Sequence, residues 1–192
     1  MEGKILEGIR NSDFSLEWLT SRCPELSKLK EVLQNPEYHG EGDVYRHTEM
    51  VCRELVKLPD WQKAEKKEQE LLFLAAVFHD MGKAVCTKQE DGIWVSPKHT
   101  VAGEKDFRRF AYREAKCFDL TFCERETVAK LVRFHGLPLW FLAKGRMEFD
   151  LLRAAESVPL RLLYLLSKAD VRGRIAQEVW RMEEEVERWR GR

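Results

Sequence analysis

Residues 71–78, LLFLAAVF, carry no polar side chain, follow the charged run KAEKKEQE at 63–70, and end on the doublet His79-Asp80. So short an apolar run falls far below the ~20 residues that span a bilayer, so it belongs in a protein core. Joined to the charged run it reads as one helix, solvated in its first half and buried in its second, that closes on an imidazole and a carboxylate. Polar groups at the end of a buried helix must find partners, and this limits what the rest of the chain can be.

The remainder follows the helical period. Apolar residues recur at three- and four-residue steps, Pro and Gly separate those stretches, and β-type alternation is nearly absent, which predicts an all-α bundle. Short helices are expected over 14–20 and 24–33, ahead of the loop NPEYHGEGD, whose Asn, Pro and Gly discourage regular structure. Asp43 is placed to cap a helix over 44–58 in which His47, Val51, Leu55 and Leu58 share a face, ended by Pro59. Gly82 reads as a helix stop, and QEDGIW at 89–94 offers an Asp-Gly turn for one small hairpin, the only β element expected. Helices follow over 99–115 and 124–135, the second ended by Gly136 and Pro138. A last long helix starts near Pro159 and carries Asp170 on its apolar face. In the tail, Val179, Met182, Val186 and Trp189 predict an amphipathic terminal helix. With no internal repeat or linker, the reading is a single domain: N-terminal helices over 1–36, a core of about 37–174 and a terminal helix over 175–192.

Charge is abundant but cancels, 33 basic residues against 33 acidic, so no global field would hold the chain on DNA or on an anionic membrane. The start MEGKILEGIRNSD lacks the apolar stretch of a secretory signal, and a soluble, cytoplasmic protein is expected. Five cysteines without a C-x-x-C pair read as reduced packing residues rather than a disulfide framework.

The chemistry lies in the histidines. All five, with the His-Asp doublet and one late Asp, fall at spacings suited to a cage for one or two divalent ions: His47, His79, Asp80, His99, His135 and Asp170, with His39 outlying in EYHGEGD. Imidazole nitrogens and carboxylate oxygens suit Zn, Mn, Ni, Co and Fe, and no cysteine is recruited. Each histidine alone also reads as a buried ring bonded to a backbone carbonyl. The joint pattern weighs against that, because His47, His135 and Asp170 lie on apolar faces of separate helices, where an unpartnered polar group costs about 1 to 3 kcal/mol. A shared metal satisfies them together.

These segments resemble the HD-domain metal-dependent phosphohydrolases, named for a His-Asp doublet within the order H…HD…D. FHDMGK, the acidic turn, SPKH and VAG are similar to the HD module of bacterial tRNA nucleotidyltransferases, as are HGEGDVYRHT before them and LVRFHGLP and LSKADVRGR after them. No Gly-Ser stretch followed by Asp-x-Asp, the mark of the nucleotidyltransferase head, stands upstream in this sequence, so the HD module standing alone is expected. The resemblance implies a compact helical fold in which His47, His79, Asp80 and Asp170 hold a first divalent metal (Mn, Ni, Co, Mg, Zn or Fe). His99 and His135 would hold a second that Asp80 bridges, or would line the pocket and bind substrate phosphate beside a single ion. It also sets His39 at the pocket mouth as a proton donor to the leaving oxygen.

Asp80 and Lys83 are then the catalytic candidates with His39: Lys83, one turn beyond the ligands, is either a cation for the phosphate and for orienting water through Asp80, or an ordinary solvent lysine. Arg172 and Arg174 follow Asp170, and Arg108 and Arg109 sit on the His99 helix; these arginines are surface charges or clamps for a second phosphate or a base. Trp140 and Phe141 form either an apolar wall for a base or core packing. The expected partner is a small nucleotide or an RNA end, cleaved at a phosphomono- or phosphodiester bond. The alternatives are a di-iron oxygenase of the inositol-oxygenase type, told apart by metal identity, and a non-catalytic metal-stabilised nucleotide- or RNA-binding module.

Overall fold

The computed structural model describes residues 4–140, 147–188 and 190. Helices α1 (Ile5–Asn11) and α2 (Leu16–Arg22) lead into a 3₁₀ segment over Pro24–Glu31. After the loop come α3 (Val44–Lys57), a single turn α4 (Pro59–Gln62) and α5 (Lys66–Phe78). Short α6 (Lys83–Cys86) precedes the antiparallel hairpin β1 (Lys88–Glu90) and β2 (Ile93–Val95), in which Gln89 pairs with Trp94. Next stand α7 (His99–Arg113), α8 (Ala115–Phe118) and α9 (Phe122–Phe134), then a 3₁₀ turn at Pro138–Trp140. Helices α10 (Met147–Ala155), α11 (Leu160–Arg172) and α12 (Val179–Glu187) complete the fold. The all-α expectation with one small hairpin holds, and no helix among the described residues is long and apolar enough to cross a membrane.

Local signals start the helices that matter. Asp43 caps α3 by accepting the Arg46 N–H at 2.8 Å, as its position suggests. Glu65 and Glu68 form a reciprocal capping box on α5, and Thr121 and Glu124 form another on α9. The solvated-then-buried reading of α5 is correct: every residue from Glu70 to Phe78 is buried. This helix is the axis of the bundle, packed by α3, α9 and α11, while α7 lies against α9 and α12 against α11. Phe78 meets Phe107 at a ring separation of 5.3 Å and Phe110 at 5.4 Å, so burial of large side chains, about 1.5 to 3 kcal/mol each, ties the end of α5 to α7 next to the His-Asp doublet.

Some expectations need correction. Helix α5 does stop ahead of Gly82, at Phe78, but Gly82 is not its cap: its φ is −65°, and α6 begins directly after it. A Cβ there would lie 2.1 Å from the His99 carbonyl oxygen and 2.5 Å from the Gly103 nitrogen, so this glycine exists for close approach of two backbones. Residues 24–31 are 3₁₀ rather than α, and the helix expected over 14–20 runs over Leu16–Arg22, its first turn capped by Ser15. Helix α10 was not anticipated, because only Asp150, Leu151 and Ala154 face inward while Phe149 and Leu152 are exposed, which blurs its stripe. Pro159 stands at the N-cap position, one residue ahead of the first turn of α11, and makes no side-chain cap hydrogen bond. Phe141 and Trp189 lie outside the described residues, as does the side chain of Trp140.

Candidate metal centre

Five elements deliver the cluster. His47 comes from the middle of α3, His79 and Asp80 from the C-terminal end of α5, and His99 opens α7. His135 closes α9, and Asp170 stands in the last turn of α11. All but His99 are buried, and the side chain of His99 is 26 % exposed. His47 Nε2 is 3.1 Å from Asp170 Oδ1 and 3.3 Å from His79 Nε2. His79 Nε2 is 3.3 Å from Asp80 Oδ2. On the other side of the same carboxylate, His99 Nε2 and His135 Nε2 lie 3.4 and 3.6 Å from Asp80 Oδ1.

The ring orientations suit ligation. Nδ1 of His79, His99 and His135 sits 2.7 to 2.8 Å from the carbonyl oxygens of Ala76, Ser96 and Val132. A carbonyl only accepts, so Nδ1 donates, and in the neutral form of each ring the lone pair lies on Nε2, which is turned to Asp80. His47 is held the same way: its Nδ1 donates toward Glu41 Oε1 at 2.9 Å and toward the Gly173 carbonyl at 3.2 Å. That last contact needs α3 and the end of α11 in near-touch, since a Cβ on Gly173 would lie 2.7 Å from the Val51 nitrogen.

Electrostatics favours a cation here. Asp80 Oδ1 is buried without a hydrogen-bond partner, a state that costs about 1 to 3 kcal/mol. Burial would push Asp80 and Asp170 up, but Lys83 and His79 beside the first, and Arg174 and His47 beside the second, hold both well below the usual carboxylate range. Burial opposes a charged ring at His47, yet hydrogen bonds to Asp170 and Glu41 outweigh it and raise its value, so positive charge is drawn to this point. Burial pushes His99 down to about 4, which leaves it neutral and able to ligate at neutral pH. The donor set of imidazoles and carboxylates, with one orphaned buried oxygen between the histidines, therefore fits one or two divalent ions; His47, His79 and Asp170 form one close group and His79, Asp80 and His135 another.

A cavity of about 910 Å³ opens on the Asp80, His99 and His135 side, where Lys83, His39 and Arg174 also reach it. His47, His79 and Asp170 are sealed beneath. Lys83 is no free surface lysine: it is buried, donating to Asp80 Oδ2 at 2.8 Å and to Gln34 Oε1 at 2.7 Å. Arg174 grips Asp170 with both oxygens in reach, Nη2 to Oδ2 at 2.8 Å and to Oδ1 at 2.9 Å. His39 is buried rather than loose at a mouth, bonded through Nδ1 to Glu41 Oε1 at 2.8 Å, and burial pushes it down to about 4. A ring so held is neutral at neutral pH and must gain a proton before it can give one.

Two expected substrate contacts are not brought to the cavity. Arg109 points to solvent, 79 % exposed and paired with Asp106, because it lies on the outer face of α7. Arg172 pairs with Glu183 of α12. Arg108, next to Arg109 on α7, is drawn to Glu126 and Glu104, away from the site. Sequence reasoning missed Glu41 and Gln34. Glu41 accepts from His39, His47 and the Ile175 N–H, and those hydrogen bonds overcome burial to lower it. A Glu in a Gly-rich loop carries no local signal of such a role.

A five-element helical bundle closing on His, His-Asp and Asp defines a class, and the sequence agrees with it. A family model described as HD domain matches residues 43–172, well over half of the chain, and the chain belongs to the HD-domain family. No curated protein matches it significantly.

Proposed function

We propose that the protein is a divalent-metal-dependent phosphohydrolase that cleaves a phosphomono- or phosphodiester bond of a nucleotide or RNA end. The observation that carries this reading is Asp80, whose carboxylate turns Oδ2 to His47 and His79 and leaves Oδ1, buried and unbonded, before His99 and His135. His47, His79, Asp80 and Asp170 would hold one ion, and Asp80, His99 and His135 a second. Such ions supply Lewis-acid charge to a phosphoryl oxygen and lower the pKa of water toward neutrality.

The remaining steps belong to the chain's own side chains. Lys83, pinned between Asp80 and Gln34 and facing the cavity, offers fixed positive charge to a phosphate and needs no rearrangement to do so. Asp170 and Arg174 fix each other, so the guanidinium stands ready at the cavity wall. His39, neutral and oriented by Glu41, takes a proton released by the attacking water at the ring nitrogen that Glu41 leaves free and passes it to the leaving oxygen. The choice of a nucleotide or RNA end rests on the likeness of FHDMGK and its flanks to the tRNA-processing HD module.

Elemental analysis of the purified protein, combined with hydrolysis assays in Mn, Ni, Co, Mg, Zn and Fe, tests this reading. Release of phosphate or of ring-opened nucleotide supports it. Inactivity on every phosphoester in every metal overturns it, and oxygen consumption with bound iron would replace it with an oxygenase.

A further inference from the structure

The cavity has a second charged wall that the chemistry above leaves unused. Helix α10 presents Asp150 and, one turn on, Arg153, and both line it. Asp150 is only 8 % exposed. Its carboxylate makes no hydrogen bond or ion pair with any described residue, and Arg153, three positions away, does not pair with it. Other buried carboxylates of the molecule behave differently: Glu104 takes Arg108 and Lys130, Glu41 takes His39 and His47, and Asp170 takes Arg174. The Asp150 oxygens are not cut off from solvent as Asp80 Oδ1 is, so the carboxylate faces the cavity, and a ligand that fills the cavity displaces water there and must bring a donor in its place.

The sign of the charge decides what can stand there. Lys83, Arg174 and a metal-loaded floor would attract phosphate, whereas the Asp150 carboxylate, which makes no ion pair with the neighbouring Arg153, repels it from its own part of the wall. One molecule suits both ends when it sets a phosphate on the floor and a neutral hydroxyl or amino donor against Asp150. Trp94, Phe134 and Leu139 line the same cavity and offer apolar surface to the part between, and about 910 Å³ accommodates a nucleotide.

We infer that Asp150 is a specificity-determining residue that accepts a hydrogen bond from a hydroxyl or amino group on the organic part of a nucleoside phosphate, so that the cavity selects nucleoside phosphates over polyphosphate chains and over aryl phosphates that lack a donor. The inference rests on the phosphohydrolase reading for where the phosphate lies, and its test separates binding from turnover. Wild-type protein, Asp150→Asn and Asp150→Ala, each loaded with Mn²⁺ and checked for an unchanged thermal unfolding profile, are titrated calorimetrically with the four ribonucleoside monophosphates and with tripolyphosphate. They are then assayed on those nucleotides, their 2′,3′-cyclic forms and p-nitrophenyl phosphate.

The expected result is about tenfold weaker binding of at least one nucleotide to Asp150→Ala, the loss of roughly one good hydrogen bond, with a smaller loss in Asp150→Asn, which keeps an acceptor. The ratio of kcat/KM for that nucleotide to kcat/KM for the aryl phosphate falls by a similar factor, through KM. Nucleotide binding that depends on Asp150 without any hydrolysis upholds this inference and defeats the phosphohydrolase reading alone. Three results overturn the inference: no nucleotide binding by wild type, unchanged binding in both variants, or equal losses on nucleotide and aryl phosphate. If Asp150→Ala unfolds, the isosteric Asp150→Asn decides by the same ratio.

Discussion

At the scale of single residues, Asp80 divides its two oxygens between two halves of one site, and this sets what its removal does. Asp80→Ala deletes the group that both halves share, so on the phosphohydrolase reading bound metal is expected to fall to trace in elemental analysis and hydrolysis to be lost. The metal-free protein keeps its melting temperature nearly unchanged, because losing the Lys83 contact is offset by losing an unbonded buried oxygen. The rise in melting temperature on adding metal disappears. An Asp80→Ala protein that hydrolyses phosphoesters at the wild-type rate would refute the assignment. Glu41 acts one step further out. It orients His47 through Nδ1, so Glu41→Gln weakens metal binding about 10- to 100-fold by calorimetric titration. Unaltered affinity would show that the Gly173 carbonyl suffices to hold the ring.

At the scale of elements, the site depends on two places where backbones nearly touch. Gly82 lets the start of α6 lie on α7, and Gly173 lets the end of α11 lie on α3. Gly82→Ala would press a methyl group into the His99 carbonyl, which belongs to a helix and cannot rotate aside as a side chain can. A loss of about 1 to 3 kcal/mol in urea unfolding is expected, and weaker metal binding with it, since His99 must move from Asp80. Thr121→Ala provides the contrast. It breaks the capping box of α9 and costs about 1 kcal/mol, but the affected end of that helix is opposite to His135, so metal affinity stays at the wild-type value. Equal effects of both substitutions on metal binding would mean that α7 is not specially positioned by Gly82.

At the scale of the whole molecule, buried histidines of opposite behaviour shape stability against pH. His39 and His99 have folded values near 4, below the ordinary 6.5. The unfolded chain therefore binds more protons there, and their contribution, complete above pH 6.5, is lost as pH falls toward 4. His47 has a raised value, so its contribution is complete below pH 6.5 and is lost as pH rises from there through the raised folded value. The two slopes meet, and the metal-free protein is expected to melt highest near pH 6.5 in calorimetry with chelator present. Added divalent metal displaces the His47 proton, which moves the optimum to higher pH. A metal-free melting temperature that climbs steadily from pH 5 to pH 9 would contradict this balance.

The amino-acid order alone determined most of the long helices and the candidate ligands they carry. Apolar spacing along α3, α5, α9 and α11, with Asp43 and Pro159 at their starts, is short-range information, and it places His47, His135 and Asp170 on inward faces. Only the packed structure decided which other polar groups meet them. Gln34, Glu41 and Asp150 sit in segments without a helical stripe to orient them, while Arg109 and Arg172 look well placed along the chain and are turned outward by the rotation of their helices. A helix turns about 100° per residue, so nearness in sequence fixes no direction until neighbouring elements pack and leave each side chain one side on which to lie.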